Sequence, residues 1–224
     1  MRHSQFQPGS TPSALGQVPP LVWLTSYPRS GNTMLRTIMF NCFGLRSGSV
    51  YPRDVSETVG RQIGHVEHGP NRQINLSGER FWLIKTHGGP QDDRHAIYVL
   101  RNGREATLSY HRFLRGTVTL KDIIEGRGQL PAWSDHLSRW NPLERHDTLL
   151  LRYEEMVANP AGTIDAIAKF LDAEPASRTL PDREALADGQ WIVSATAAKP
   201  KFDAEAEEAF ERVNGAAMRK FGYT

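Results

Sequence analysis

The chain has 224 residues, 27 basic and 25 acidic side chains, a net charge of +2 and one cysteine, Cys42. That length can bury a core without covalent staples, and a lone cysteine excludes both a disulfide framework and a multi-cysteine zinc site. The near-neutral charge excludes a polyanion binder driven by bulk electrostatics, so no nucleic-acid partner is expected and any phosphate recognition must be local.

The first twenty residues hold four Pro, two Gly and four Ser or Thr among few large apolar groups. They predict a loose arm, with residues 21–224 as one α/β domain. No apolar run approaches the roughly 18 residues that span a bilayer, and no apolar secretory segment opens the chain. No membrane partner and a cytoplasmic location are therefore expected. Residues 21–26, Leu-Val-Trp-Leu-Thr-Ser, predict a buried strand. Tyr27 to Thr33 is turn-like, and residues 34–43 predict a helix with Leu35, Ile38 and Met39 on one face and Cys42 as a buried, inert thiol. Residues 47–78 predict irregular chain with a short helix near 54–63. Strands are predicted at 81–85, 95–100 and 148–152, and helices at 103–114, 134–140 and 160–171. A last amphipathic helix is predicted at 203–221, with Ala206, Phe210, Val213 and Ala217 as its stripe.

Strands alternating with helices imply parallel βαβ units and a sheet covered on both faces. In such folds ligands sit at the carboxyl ends of the strands, where three polar clusters fall. In the first, a strand, a Ser30-Gly31 turn and a helix start offer backbone N–H groups and a positive dipole end to an anion. Arg29 adds charge, and Ser30, Asn32 and Thr33 add donors. The sequence lacks G-x-x-x-x-G-K-[ST], which argues against a Mg²⁺-nucleotide hydrolase. In the second, Lys85-Thr86-His87 puts a cation two residues before a histidine able to act as a base. In the third, Arg101 closes a strand, with Ser109 eight residues on in the next helix. Each cluster alone also fits an ordinary turn, a structural histidine or a solvated arginine; their coincidence at consecutive strand ends points to one composite site.

Together the clusters resemble the sulfotransferases that use 3′-phosphoadenosine 5′-phosphosulfate (PAPS). Tyr27 to Thr33 resembles that family's 5′-phosphosulfate loop, Lys85-Thr86-His87 its catalytic segment, and Ile97 to Asn102 through Ser109-Tyr110 its 3′-phosphate motif. His136 to Trp140, Leu151 to Met156 and Asn159-Pro160 are similar to its next landmarks. The resemblance implies a P-loop-like α/β fold with a central parallel sheet flanked by helices. It implies sulfuryl transfer from PAPS to a hydroxyl of a small-molecule acceptor, with no metal. Arg29, Ser30, Gly31, Asn32 and Thr33 would wrap the phosphosulfate, Arg101 and Ser109 would hold the 3′-phosphate, and Tyr153 would lie near the adenosine. His87 would take the acceptor's proton, while Lys85 and Arg29 steady the transferring and leaving groups. Fixed cations suffice because such transfer asks mostly for positioning and charge neutralisation.

The sequence departs from the family pattern in places. Arg29 stands where Lys is usual, Asn32 for Thr, and Met34 for an adenine-stacking Trp. The C-terminal Arg-Lys-Gly segment is absent; Asp188-Gly189-Gln190-Trp191 and Lys199-Pro200-Lys201 occupy its region, with Lys199 or Lys201 as candidates for the missing contact. By analogy residues 47–78 and 116–132 would line the acceptor pocket, bringing Tyr51, His65, His68, Arg72 and Trp133. His65-x-x-His68 has no companion cysteine, and Asp92-Asp93 predicts a solvated turn. The alternatives are a catalytically degenerate nucleotide-binding domain of the same fold, or a small-molecule kinase. Acceptor identity and oligomeric state are not specified by the sequence.

Overall fold

The computed structural model describes residues 20–181 and 201–224. In chain order its elements are β1 (Leu21–Ser26), α1 (Asn32–Phe43), β2 (Ser47–Ser49), α2 (Glu57–Gln62), β3 (Trp82–Thr86) and β4 (Ala96–Leu100). There follow α3 (Gly103–Phe113), α4 (Leu120–Ile124), α5 (Trp133–Trp140), β5 (Thr148–Arg152), α6 (Tyr153–Ala158), α7 (Pro160–Leu171) and α8 (Ala204–Lys220). The strands form one five-stranded sheet in the order β2-β3-β1-β4-β5, and every pairing is parallel. Its register aligns the strand ends: Thr25 lies opposite Thr86 on one side and Tyr98 on the other, and Leu100 lies opposite Arg152.

Parallel strands covered on both faces must be apolar on both, and β1 and β4 are buried throughout. Side-chain alternation sorts them. Val22, Leu24, Ile97 and Val99 pack with Leu35, Ile38, Met39 and Cys42 of α1 and Ile164 and Ile167 of α7. Trp23, Tyr98 and Leu100 pack on the other face with Trp133 and Trp140 of α5, Ile123 of α4 and Phe210 and Met218 of α8. Each fully buried aliphatic side chain contributes about 1.5–3 kcal/mol, so the two layers dominate the fold.

The structure adds elements that pattern alone did not predict. β2 is Ser-Gly-Ser with no apolar alternation, and it exists because β3 pairs with it. Gly48 is required there, since a Cβ would sit 2.6 Å from Ile74 Cγ2. The predicted α8 stripe is rotated: the buried set is Ala209, Phe210, Asn214, Gly215 and Met218, while Ala206, Val213 and Ala217 are only partly covered. Asn214 fixes that rotation, its amide donating to the Ile124 carbonyl and accepting from Ser134 N–H. Asp92 also departs from a solvated turn, because Trp23 Nε1–H donates to its carboxylate at 2.9 Å. Among the described residues no helix is long and apolar enough to cross a membrane.

Candidate active site

Most helices here begin with a side chain that satisfies their first N–H groups: Ser56, Asn102, Asn159 and Asp203 cap α2, α3, α7 and α8. α1 does not. It starts at Gly31, in the left-handed region at φ 107°, with no side-chain cap and no acid in its first turn. Its positive end opens into a cleft of about 1620 Å³ at the carboxyl ends of the strands. Gly31 is demanded twice: the φ is one that other residues rarely adopt, and a Cβ would lie 2.5 Å from Tyr153 Cδ2. Tyr153, the first residue of α6 after β5, therefore packs its ring directly on the loop.

The structure brings Arg29, Arg101, Ser109 and Tyr153 to this corner. Arg101 donates Nη1–H to the Arg29 carbonyl at 2.9 Å and Nη2–H to Glu105 at 3.0 Å, and its guanidinium lies 4.6 Å over the Tyr153 ring. Arg29 Nε–H donates to Ser109 Oγ at 3.3 Å, and its guanidinium lies 5.2 Å from the ring centre of Phe113. The buried donors Ser30 Oγ and Arg101 Nε are unpartnered here, as is the acceptor Asn32 Oδ1. An uncapped helix start, adjacent guanidinium groups and orphaned donors suit a multiply charged anion. Asn32 is a partial correction. It lines the cleft, but its side-chain Nδ2–H donates to the Leu24 carbonyl at 3.0 Å, bracing the helix against β1, so of the side-chain amide only Oδ1 is left unpartnered. Thr33 and Met34 line the cleft.

At the other end lies His87, just past β3. Its Nδ1–H donates to the Ser26 carbonyl at 2.8 Å, which leaves Nε2 with its lone pair. Burial and then the Lys85 charge hold its pKa well below the usual histidine value. It is neutral near pH 7 and able to accept a proton. Three contacts fix the segment from behind: Tyr51 Oη accepts the His87 N–H at 3.0 Å, His136 Nε2–H donates to the His87 carbonyl, and Trp140 Nε1–H donates to the Gly88 carbonyl at 2.8 Å. His136 in turn accepts from Tyr98 Oη at 2.7 Å.

Lys85 is buried, its ammonium 4.5 Å over the Tyr51 ring and 2.5 Å from Asp54 Oδ1. Burial lowers its pKa and Asp54 opposes that. Burial alone would raise the Asp54 carboxyl, but Lys85 and Arg36 outweigh it and hold it below the ordinary range. Asp54 and Arg36 escaped the sequence reading: neither belongs to a motif, and their meeting with Lys85 depends on the unpatterned β2 segment. The expected acceptor lining is partly corrected. Tyr51 and residues 50–55, 59, 62 and 63 line the cleft, as do Gln129 and Leu130. His65 instead faces Arg36, His68 is held by the Ser49 and Arg72 carbonyls, and Trp133 is core. Among the described residues no group of three or more His, Cys, Asp or Glu could hold a metal ion. Lys201 is exposed in a coil and outside the lining, and Lys199 and residues 188–191 lie outside the described residues.

A family model described as the sulfotransferase domain matches residues 19–188. The chain belongs to the sulfotransferase family. Sulfotransferase 1B1 of Mus musculus is 31% identical over 196 aligned positions, covering 73% of this chain and 60% of that protein. Sulfotransferase 4A1 of Homo sapiens is 25% identical, covering 67% and 59%. The chain thus spans about three-fifths of the length of these sulfotransferases. Its fold is that of the mouse sulfotransferase SULT7A1 complexed with PAP (TM-score 0.59, 18% identity, 89% of this chain and 85% of that one). A retinol dehydratase bound to androsterone and the inactive cofactor PAP superposes equally well (TM-score 0.59, 18% identity, 91% and 82%).

Proposed function

We propose that this chain transfers a sulfuryl group from PAPS to the hydroxyl of a small-molecule acceptor, without a metal. The observation that carries this reading is the composite cleft: an uncapped, acid-free helix start flanked by Arg29 and Arg101 at one end, and a neutral histidine with a free Nε2 at the other. Family membership and the PAP carried by both superposed structures support it.

Bound there, PAPS would supply an activated sulfuryl group. The Ser30–Thr33 turn and Arg29 would hold its 5′ end, Arg101 and Ser109 its 3′-phosphate, and the Tyr153 ring would flank the adenosine. His87 Nε2 takes the proton as the acceptor oxygen bonds to sulfur and the bridging sulfur–oxygen bond to the 5′-phosphate breaks. Lys85 and Arg29 offset charge developing on the sulfuryl oxygens and the departing phosphate. The reading also takes 21–224 as the domain of a cytoplasmic protein; all but the last residue of the arm expected at 1–20 lies outside the described residues.

The test is thermal melting with adenosine 3′,5′-bisphosphate, with ATP as control. A ligand at 100 times its Kd adds about 2.7 kcal/mol, and we expect that shift to vanish in Arg101→Ala. With His87→Ala, bisphosphate binding is expected to persist while PAPS-dependent transfer is lost. A shift with ATP alone would favour a kinase; a shift with neither would favour a fold that has lost its nucleotide.

A further inference from the structure

Behind Lys85 lies a buried ion cluster that none of the three polar clusters contains. The Asp54 carboxylate is shared. Oδ1 accepts from Lys85 Nζ at 2.5 Å and Oδ2 from Arg36 Nη1 at 2.6 Å, and the side chains are 5%, 9% and 2% exposed. Arg36 is immobile. Its Nε–H donates to Ser47 Oγ at 2.8 Å, its Nη2–H to the Ser47 carbonyl at 3.2 Å, and Nη2 also meets His65 Nδ1 at 2.7 Å. The guanidinium fork thus bridges α1 and β2 through three donors. Lys85 ends in a compact ammonium and lines the same cleft as His87, as do Arg36 and Asp54.

Buried pairs of this kind seldom add net stability over an apolar replacement, because desolvating the charges offsets their attraction. Two cations on one carboxylate also leave the cluster one charge positive, on the wall where a sulfuryl group would arrive. We propose that Asp54 is a positioning residue for the transfer step, tying the Lys85 ammonium to the fixed Arg36 so that it stands charged at the cleft wall beside His87.

The groups that face Lys85 agree with this. Asp54 and Tyr51 come from the segment after β2, Arg36 from α1, and His87 from the end of Lys85's own strand. Asp54 provides the negative charge. Without it, Lys85 would be a buried ammonium beside a buried guanidinium, and both burial and repulsion would favour loss of its proton. Asp54 also offsets the effect of Lys85 on His87. A neutral Lys85 could not balance charge in the transfer.

The proposal rests on the sulfuryl-transfer reading, so its test has an arm independent of activity. Protein labelled at lysine ¹³Cε contains six lysines, and the Lys85 resonance is identified by its loss in Lys85→Arg. In Asp54→Asn we expect Lys85 to titrate at least about one pH unit lower. Bisphosphate affinity is expected to stay within about threefold while PAPS turnover to the bisphosphate falls at least about tenfold at pH 7, its alkaline limb moving down with the lysine. Asp54→Glu should restore the lysine titration and part of the turnover, and it keeps the test alive should Asp54→Asn fail to fold. In Lys85→Arg, adding Asp54→Asn should move no alkaline limb. An unchanged Lys85 titration in Asp54→Asn, or an Asp54→Glu variant no better than Asp54→Asn, overturns the clamp. If the wild-type chain neither binds the bisphosphate nor consumes PAPS, the transfer step falls, and the lysine titration still decides what Asp54 does to Lys85.

Discussion

One glycine joins the two halves of the anion corner. Gly31 sits at φ 107° with the Tyr153 ring where a Cβ would be, and its neighbour Arg29 carries the loop through a second left-handed conformation at φ 64°. Gly31→Ala would have to relieve both the backbone and the ring. We expect it to cost about 1–3 kcal/mol in urea unfolding and to weaken bisphosphate binding at least about tenfold in calorimetry, because Tyr153 and Arg101 are stacked and would move together. An alanine variant with wild-type affinity would show that the loop accommodates its ligand without the ring contact. At this scale the sequence was legible where chemistry follows a strand end directly: Arg29, Ser30, Lys85, His87 and Arg101 need only the strand to be recognised. Asp54 was not legible. It meets Lys85 across 31 positions, and no local pattern encodes a contact that depends on how an irregular segment folds back.

The long elements announced themselves through periodicity. β1 and β4 are apolar on both faces, and α7 carries Asn159 as its cap with Pro160 as its first residue. Several short or polar elements did not, although the six-residue α2 falls within the helix expected near 54–63. α4 and α6 have five and six residues, and β2 holds its place through pairing alone. The buried face of α8 departs from the predicted stripe because hydrophobicity is not the only reason to bury a side chain. Asn214, fully buried, turns inward because it satisfies Ile124 C=O and Ser134 N–H, fastening α8 to both α4 and α5. Asn214→Ala leaves a buried carbonyl and a half-buried N–H unpaired, and we expect a loss of about 1–3 kcal/mol. Asn214 does not line the cleft, so turnover is expected to change little. Urea unfolding against PAPS turnover at saturating donor separates the two effects. Near-wild-type stability in the variant would mean that those backbone groups find other partners.

At the scale of the whole molecule, packing around the sheet lowers the pKa of three histidines: His136 and His65, with covered side chains, and His87, partly exposed at the cleft. His136 is fully covered, and burial lowers its pKa to about 3, while that of His87 is lowered well below its usual value. Both therefore stay neutral in the folded chain long after they would charge in the unfolded one, near pH 6.5. Above pH 6.5 neither state takes the proton and the fold is unaffected. Below it the unfolded chain binds protons that the folded chain refuses, so stability should fall with pH, by up to about 1.4 kcal/mol per pH unit for each histidine. Between pH 6.5 and 5 the carboxylates remain ionised in both states, Asp54 most firmly because Lys85 and Arg36 hold it, so this window isolates the imidazoles. Urea unfolding at pH 7.5, 6.5, 5.8 and 5.0 should show a plateau and then a descent. His136→Gln keeps a donor for the His87 carbonyl and an acceptor for Tyr98 Oη but cannot titrate, and it should remove part of the slope, leaving what His87 and His65 contribute, since burial and Arg36 lower the His65 pKa as well. An unaltered slope would place the acid sensitivity in groups other than His136. The same neutrality serves the chemistry: with its proton held only on Nδ1, His87 should remain a competent base well into the acid range, and the acid limit on activity should come from unfolding rather than from loss of the base.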